Sequence, residues 1–440
     1  MTVKLEAPVN PNYAATVVEA KNLVTLDGLD NLVALPQFGL QALVPKNTPI
    51  GSLGVFFVAE SQLADQFAHY NNLYRHGDKN FDESAKGYLE DNRRVKAIKL
   101  RGHRSDALFM PLESLVEAHY INSADLGSLK AGDTFDKIGD NELVRKYVVK
   151  AERVKNSREA KQLKKVFKRV DEKMLPEHYD TENWWRNEHH IADDEQIVVT
   201  QKLHGTSIRI AHTIVRRQLR WHEKIAKKLG VKVAESEFAH VYGSRKVIKD
   251  PNNPAQNHFY GTDIWGDFGK QLDELIPENF IVYGELIGYT PDGAPIQKDY
   301  TYNSNVGETR LFVYRVAVVQ AKGLIVDLSW DQVKAFASER GLDVVPELWR
   351  GKKADFDVDQ FVDKNFFDLG SSLFPHMPVW LPPKLVDEGV VIRADRNRWA
   401  PYLLKAKSPI FLQHETRLLD EGVADLETVG SEADEELVLA

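Results

Sequence analysis

The chain has 440 residues, 43% of them apolar, and no cysteine. That length exceeds one ordinary core and predicts two domains. The absence of cysteine excludes disulfides, thiolate metal sites and cysteine nucleophiles. The formal net charge is −8, but residues 413–440 alone hold nine Asp or Glu against Arg417, so the preceding 412 residues are neutral overall. A neutral body can still present a basic face, which leaves nucleic acid open as a partner. No apolar run approaches the roughly 20 residues of a membrane span. The opening MTVKLEAPVN lacks the apolar centre of a secretion signal. The expectation is a soluble, cytoplasmic, monomeric protein without a membrane partner.

From Ala14 to Leu112, short apolar runs alternate with turn residues: ATVVEA, LVALPQ, LQALVP, GVFFVAE, VKAIKLRG and ALFMPL, with one helix predicted at LADQFAHYNNLYR. Many short strands in so few residues predict an OB-like β-barrel over 1–140. Within it, Lys99, Arg101, His103 and Arg104 cluster around a glycine. They read either as a phosphate grip or as an exposed hairpin tip. A basic helical connector over 141–180 follows; Asn141 to Met174 carries twelve Lys or Arg against five Asp or Glu. It reads equally as a solvated face and as an RNA backbone contact. Residues 181–412 predict an α+β domain of antiparallel strands with helices at WHEKIAKKLGV, GKQLDELI and SWDQVKAFASERG. The last of these helices is capped by Ser329 and stopped by Gly341. The tail over 413–440, acidic and without aromatics, is expected to be disordered.

Four fragments of the second domain carry charge where a strand should be apolar. IVVTQKLHGTSIRI places Lys202 before a His204–Gly205 turn. VYGELIG carries Glu285, DEGVVIR carries Glu388, and LLKAKS carries Lys405 and Lys407 on one strand face. Burying isolated charges costs several kcal/mol each, as an order of magnitude, unless partners or ligands compensate. Two readings follow. The charges are interior salt bridges, Lys405 with Glu285 and Lys407 with Glu388, or they line a cleft for a nucleoside triphosphate and a divalent cation.

The order decides between them. Glu285 follows Lys202 by 83 residues, Glu388 follows after another 103, and Lys405 after 17 more. This order over residues 195–410 resembles the covalent nucleotidyltransferases, the superfamily of polynucleotide ligases and mRNA capping enzymes. His204 before the glycine, in place of Asp, looks most like the RNA ligases. The resemblance implies that Lys202 attacks the α-phosphorus of ATP to give a lysyl-AMP and pyrophosphate. It implies catalytic roles for Lys202, Glu388, Lys405 and Lys407, and Mg2+ or Mn2+ held by Glu285 and Glu388. Gln201, Lys202, His204, Gly205, Arg245, Glu285, Tyr314, Glu388, Lys405 and Lys407 are the implied nucleotide contacts. Tyr314 is preferred over Phe312 as the ring on adenine, and Arg245 is read as a ribose or 5′-phosphate contact. A lysine amine is mostly protonated at neutral pH, and the cations around it are expected to lower its pKa and free the nucleophile. Ser207 stands where relatives often carry Asn or Arg, and Gln201 where many carry Glu, which leaves the ribose and metal-water contacts open.

Capping enzymes and most ATP-dependent DNA ligases carry an OB domain after the last lysine motif. Here 33 residues follow Lys407 and the spare barrel is expected at the N-terminus, as in one RNA ligase group. The expectation is an ATP-dependent RNA ligase joining a 3′-hydroxyl to a 5′-phosphate, at nicks in duplex RNA, in RNA repair. The alternatives are a DNA ligase with a rearranged OB domain and a non-catalytic OB-containing RNA-binding protein. On sequence alone the tail is dispensable for adenylation.

Overall fold

The structure, a computed structural model, describes residues 3–148, 169–249, 263–320, 323–366, 379–396 and 399–422. Most of the expected basic connector and residues 423–440 of the tail lie outside them. The chain divides into two compact units: Met1–Val149 with Glu182–Glu188 and Ala406–Val423, and Lys150–Thr181 with His189–Lys405 and Ala424–Ala440.

The first unit is built on a seven-stranded sheet. Its strands run in the order Thr134–Phe135, Ala15–Glu19, Leu53–Val58, Ala107–Pro111, Leu40–Pro45, Leu32–Gln37 and Val24–Thr25. All pairings are antiparallel except that Ala42 meets Ala107 in parallel. Five of the six apolar runs fall on these strands; VKAIKLRG instead gives half of a separate two-stranded hairpin, Ile98–Leu100 with His103–Ser105. The interior strand Leu53–Val58 explains its own composition. Val55 and Phe57 pack into one core, Phe56 and Val58 into another on the opposite face, so the run is apolar at every position rather than alternating. The expected closed barrel is not what these residues make. Among the described residues the two edge strands, each two residues long, pair with nothing further, and the sheet stays open. The helix predicted at LADQFAHYNNLYR is reduced to Asp65–Tyr70.

The second unit contains two antiparallel sheets. One runs Ile248–Lys249, Ser236–Gly243, Thr206–Arg216, Phe280–Gly288, Thr309–Val319, Ile325–Asp327. In the other, Gln196–Lys202 lies between Glu347–Lys352 and Gly389–Ala394, and Tyr402–Lys407 follows beyond Gly389–Ala394. The expected helices form at Trp221–Lys228 and Trp330–Glu339; Ser329 accepts from the Gln332 amide and closes a capping box with its side chain. The one expected at GKQLDELI is displaced towards the N-terminus, to Ile264–Lys270, followed by a short 3-10 turn at Asp273–Leu275.

One boundary needs correction. The tail placed at 413 begins inside a helix, Pro409–Asp420. Ser408 caps it by accepting from the Phe411 amide, and Pro409 supplies a fixed first-turn φ. Phe411, Thr416 and Leu418 are buried. Net acidity hid this: the carboxylates lie on the helix's polar positions, and the apolar ones fill a core.

Candidate active site

The two sheets of the second unit are joined by the turn that carries the lysine. Lys202 ends one strand, Leu203 to Gly205 make the turn, and Thr206 opens a strand of the other sheet. Across the first sheet Lys202 stands opposite Gly389, which places Glu388 just past the end of the ladder. Lys202 Nζ lies 2.8 Å from Glu388 Oε2, the lysine side chain 25% exposed and the glutamate 3%. His204 Nδ1 is 3.7 Å from the same oxygen, and its ring meets Tyr300 edge-on at 5.1 Å.

Across the second sheet Ser207, Glu285 and Phe312 stand in line. Glu285 accepts from the Gly205 amide at 3.1 Å and from Ser207 Oγ at 3.4 Å. Gly205 has a steric reason to be glycine: a Cβ there would stand 2.1 Å from the Leu286 carbonyl oxygen and 3.0 Å from Glu285 Cγ. The turn thus draws in one glutamate from each sheet, Glu388 through Lys202 and Glu285 through Gly205. Two further side chains fix its backbone. Tyr302 Oη accepts from the His204 amide at 2.7 Å, and Gln297 Nε2 donates to the Gly205 carbonyl at 2.8 Å. Burial pushes the Tyr302 phenol well above its ordinary pKa, so it stays a neutral partner.

Behind the lysine, Gln201 is buried and donates through Nε2 to Asp387 Oδ1 at 2.7 Å. Asp387 Oδ2 accepts from the Phe366 amide at 2.8 Å. Burial pushes the Asp387 carboxyl up to about 6, against the opposing pull of those two hydrogen bonds. Gln201 therefore acts inside the fold, tying the Lys202 strand to the segment before Glu388.

The remaining expected residues divide. Lys405 and Lys407 are half-buried on one face of the last strand while Leu404 and Ala406 are buried on the other, as the two-residue period predicts. Lys407 Nζ contacts both oxygens of Glu415, at 2.8 and 2.9 Å. Glu388 and Lys407 thus have partners other than each other. Arg245, half-buried in the turn after Ser236–Gly243, pairs with Asp180. Tyr314 occupies a bulge, because Tyr283 pairs with Arg315 while Gly284 pairs with Val313. Its hydroxyl bonds to His178 Nδ1. Burial, with Arg209, Arg245 and Arg315 adding to it, pushes the His178 imidazole well below its ordinary pKa. Phe312, fully buried, is the ring directly across from Glu285. Sequence reasoning missed Asp387, Tyr302, Gln297 and Glu415. Asp387 left a visible signal, an acidic pair ahead of a glycine, whereas Tyr302 and Gln297 sit in a loop with no pattern.

Two antiparallel sheets are thus joined by a lysine-bearing glycine turn, and each sheet supplies a buried glutamate to that turn. Residues 195–408 match the RNA ligase family model. No curated protein sequence matches the chain. In fold it is similar to an RNA ligase of Naegleria gruberi. The form of that ligase solved with PPi gives a TM-score of 0.56 at 16% identity, covering 93% of this chain and 100% of that one. A variant of the same ligase solved with AMP and Mn gives 0.54 at 15%, covering 91% and 98%. Another solved with ATP and Mn gives 0.53 at 14%, covering 93% and 99%. At such identity the likeness is one of fold, and it extends well beyond residues 195–408.

Proposed function

We propose that the protein is an ATP-dependent RNA ligase that works through a lysyl-AMP. The observation that carries the reading is the Lys202 Nζ to Glu388 Oε2 pair at 2.8 Å on a turn that Glu285 holds by its Gly205 amide. Lys202 Nζ attacks the α-phosphorus of ATP; the N–P bond forms, the bond to the bridging oxygen breaks, and pyrophosphate leaves. Glu388 Oε2 lies within hydrogen-bond reach of the amine, where a general base must stand. Lys405 and Lys407, on one face of their strand, offset charge that develops on the phosphate oxygens.

Glu285 and Glu388 fit a hard divalent cation. Both are buried carboxylates, and no cluster of three or more His, Asp or Glu able to hold a metal occurs among the described residues. Such a cation takes oxygen ligands and keeps waters and substrate phosphates among them. Bound Mg2+ or Mn2+ would supply positive charge that competes with Lys202 for Glu388 and offsets the α-phosphate. Tyr314 or Phe312 would pack against adenine, and Arg245 would exchange Asp180 for ribose or a 5′-phosphate.

In the second and third steps AMP passes to the RNA 5′-phosphate, and the 3′-hydroxyl displaces it to seal the strand. We read the first unit as the RNA-binding module. Its hairpin displays Lys99, Arg101, His103 and Arg104 at the tip, with Arg101 and His103 fastened to the Gly28 and Asp27 carbonyls. Nicked duplex RNA in a cytoplasmic repair reaction is the substrate this reading favours. Incubation with ATP and a divalent cation tests it: the chain should gain the mass of one AMP, and Lys202→Ala should gain none. Sealing of nicks with ribose but not deoxyribose at the 3′ end then separates RNA from DNA ligation.

A further inference from the structure

We propose that Glu415 is a positioning residue for Lys407, and that the interior of the first unit holds the helix bearing it. The inference rests on the ligase reading above.

Lysine has a long flexible stem and a point charge, so a lysine that serves one phosphate must be aimed. Here both Glu415 oxygens hold Lys407 Nζ, each side chain only about one-fifth exposed, at 22% and 18%. The ring of Phe411 lies 5.0 Å from the same nitrogen. Chain connectivity fixes the geometry. The strand ends at Lys407, Ser408 caps the helix, and Glu415 lies two turns along it.

That helix is fastened by buried polar groups of the first unit. Thr416 Oγ1 donates to Glu60 Oε1 and accepts from the Ala97 amide at 3.1 Å. Arg94, 1% exposed, donates to Glu60 Oε2 at 3.1 Å and to the Thr416 carbonyl at 3.3 Å, and also pairs with Asp420. Lys96 holds the same Asp420 at 2.9 Å. A buried ion network is weak as a source of stability; this one leaves Arg94 Nε without a partner but specifies one arrangement through the bonds of Glu60 and Arg94 to Thr416 and Asp420. What it specifies here is the rotation and height of the helix, and so the position of Glu415. The tail that looked dispensable is thereby divided, with residues up to Asp420 required and those beyond not implicated.

The test uses the full-length chain with ATP and Mg2+: wild type, Glu415→Gln, Glu415→Asp and Thr416→Val. Single-turnover AMP gain, melting temperature and Lys407 acylation by an amine-reactive ester, read by peptide mass spectrometry, are followed together. An ångström of misplacement costs on the order of 100-fold in rate. Glu415→Gln should therefore lose about 10- to 100-fold in adenylation at saturating ATP, with faster Lys407 acylation and a larger effect on kcat than on KM. Glu415→Asp should lie between it and wild type, and Thr416→Val should shift both readouts the same way by less. A Glu415→Gln protein that adenylates at the wild-type rate overturns the proposal. So does a series, normalised to the folded fraction, in which Asp and Gln variants equal wild type. If wild type itself gains no AMP, the ligase reading fails and takes this inference with it.

Discussion

Gln201 Nε2 donates to Asp387 Oδ1 at 2.7 Å; Gln201 is one residue before Lys202 on its strand, and Asp387 one residue before Glu388, ahead of the strand Gly389–Ala394. Lys202 and Glu388 are thus aligned by a buried hydrogen bond between their immediate neighbours. Gln201→Leu keeps the volume and removes the donor, leaving Asp387 with the Phe366 amide. A buried acceptor stripped of one partner costs on the order of 1–3 kcal/mol. Urea midpoints should fall accordingly, and AMP gain should fall further than the folded fraction does. Equal losses in the two would reduce the bond to a structural role.

Lys202→Arg and Lys202→Ala should separate charge from nucleophilicity. Arginine keeps a cation beside buried Glu388 but stays protonated, so it should melt near wild type and accept no AMP. Alanine leaves Glu388 buried without that partner, at a cost on the order of 3–5 kcal/mol, and should be both inactive and less stable. Calorimetry with intact-mass measurement checks both. AMP on either variant would remove Lys202 from the role.

At Gly205 the objection to a side chain is steric. A Cβ 2.1 Å from the Leu286 oxygen forces the turn away from the strand Phe280–Gly288, and with it the amide that Glu285 accepts from. Gly205→Ala should destabilise by a few kcal/mol and abolish AMP gain even at temperatures where the chain is folded, as judged by circular dichroism.

Glu60 gives a pH dependence with a definite sign. Burial raises its carboxyl to about 7 from an ordinary 4.5; Arg94 and the Thr416 hydroxyl pull it down, Glu415 pushes it up and Lys407 pulls it down. Between about 4.5 and 7 the folded chain therefore holds a proton that the unfolded chain has released. That contribution to stability is fully present below about 4.5 and is lost as pH rises to about 7, an effect on the order of 3 kcal/mol. Glu60→Gln should flatten the slope of unfolding free energy across this window. An unchanged slope would show that Glu60 titrates normally.

The site was legible in the sequence where a charge interrupts an apolar strand. Lys202, Glu285, Glu388, Lys405 and Lys407 stand out because their neighbours, such as Val390 and Leu404, are buried. Arg209 carried the same signal in TSIRIA, and it proves to be a buried strut, donating to the Ser244 and Leu175 carbonyls at 2.8 and 2.7 Å. Partners that arrive from loops, Tyr302 and Gln297, obey no period and could not be read. The Tyr314 bulge was invisible for a related reason, since strict alternation assumes an unbroken ladder. In the first unit the strands were legible but their closure was not, because strand patterns do not say whether two short edges meet. Glu415 was hidden by averaging: a tail judged by its total charge conceals a helix whose carboxylates each have an address.

Helix Pro409–Asp420 also dictates when the molecule can be finished. Thr416 bonds to Glu60 across 356 positions of chain, and Arg94 reaches Asp420 across 326. The interior of the first unit therefore stays incomplete until the chain has been made as far as Asp420, although the last strand of its sheet ends at Phe135. Contacts of such sequence separation form slowly. During that interval the nascent unit presents Arg94 and Glu60 without their final partners, so a chain cut short before Thr416 loses its beginning as well as its end.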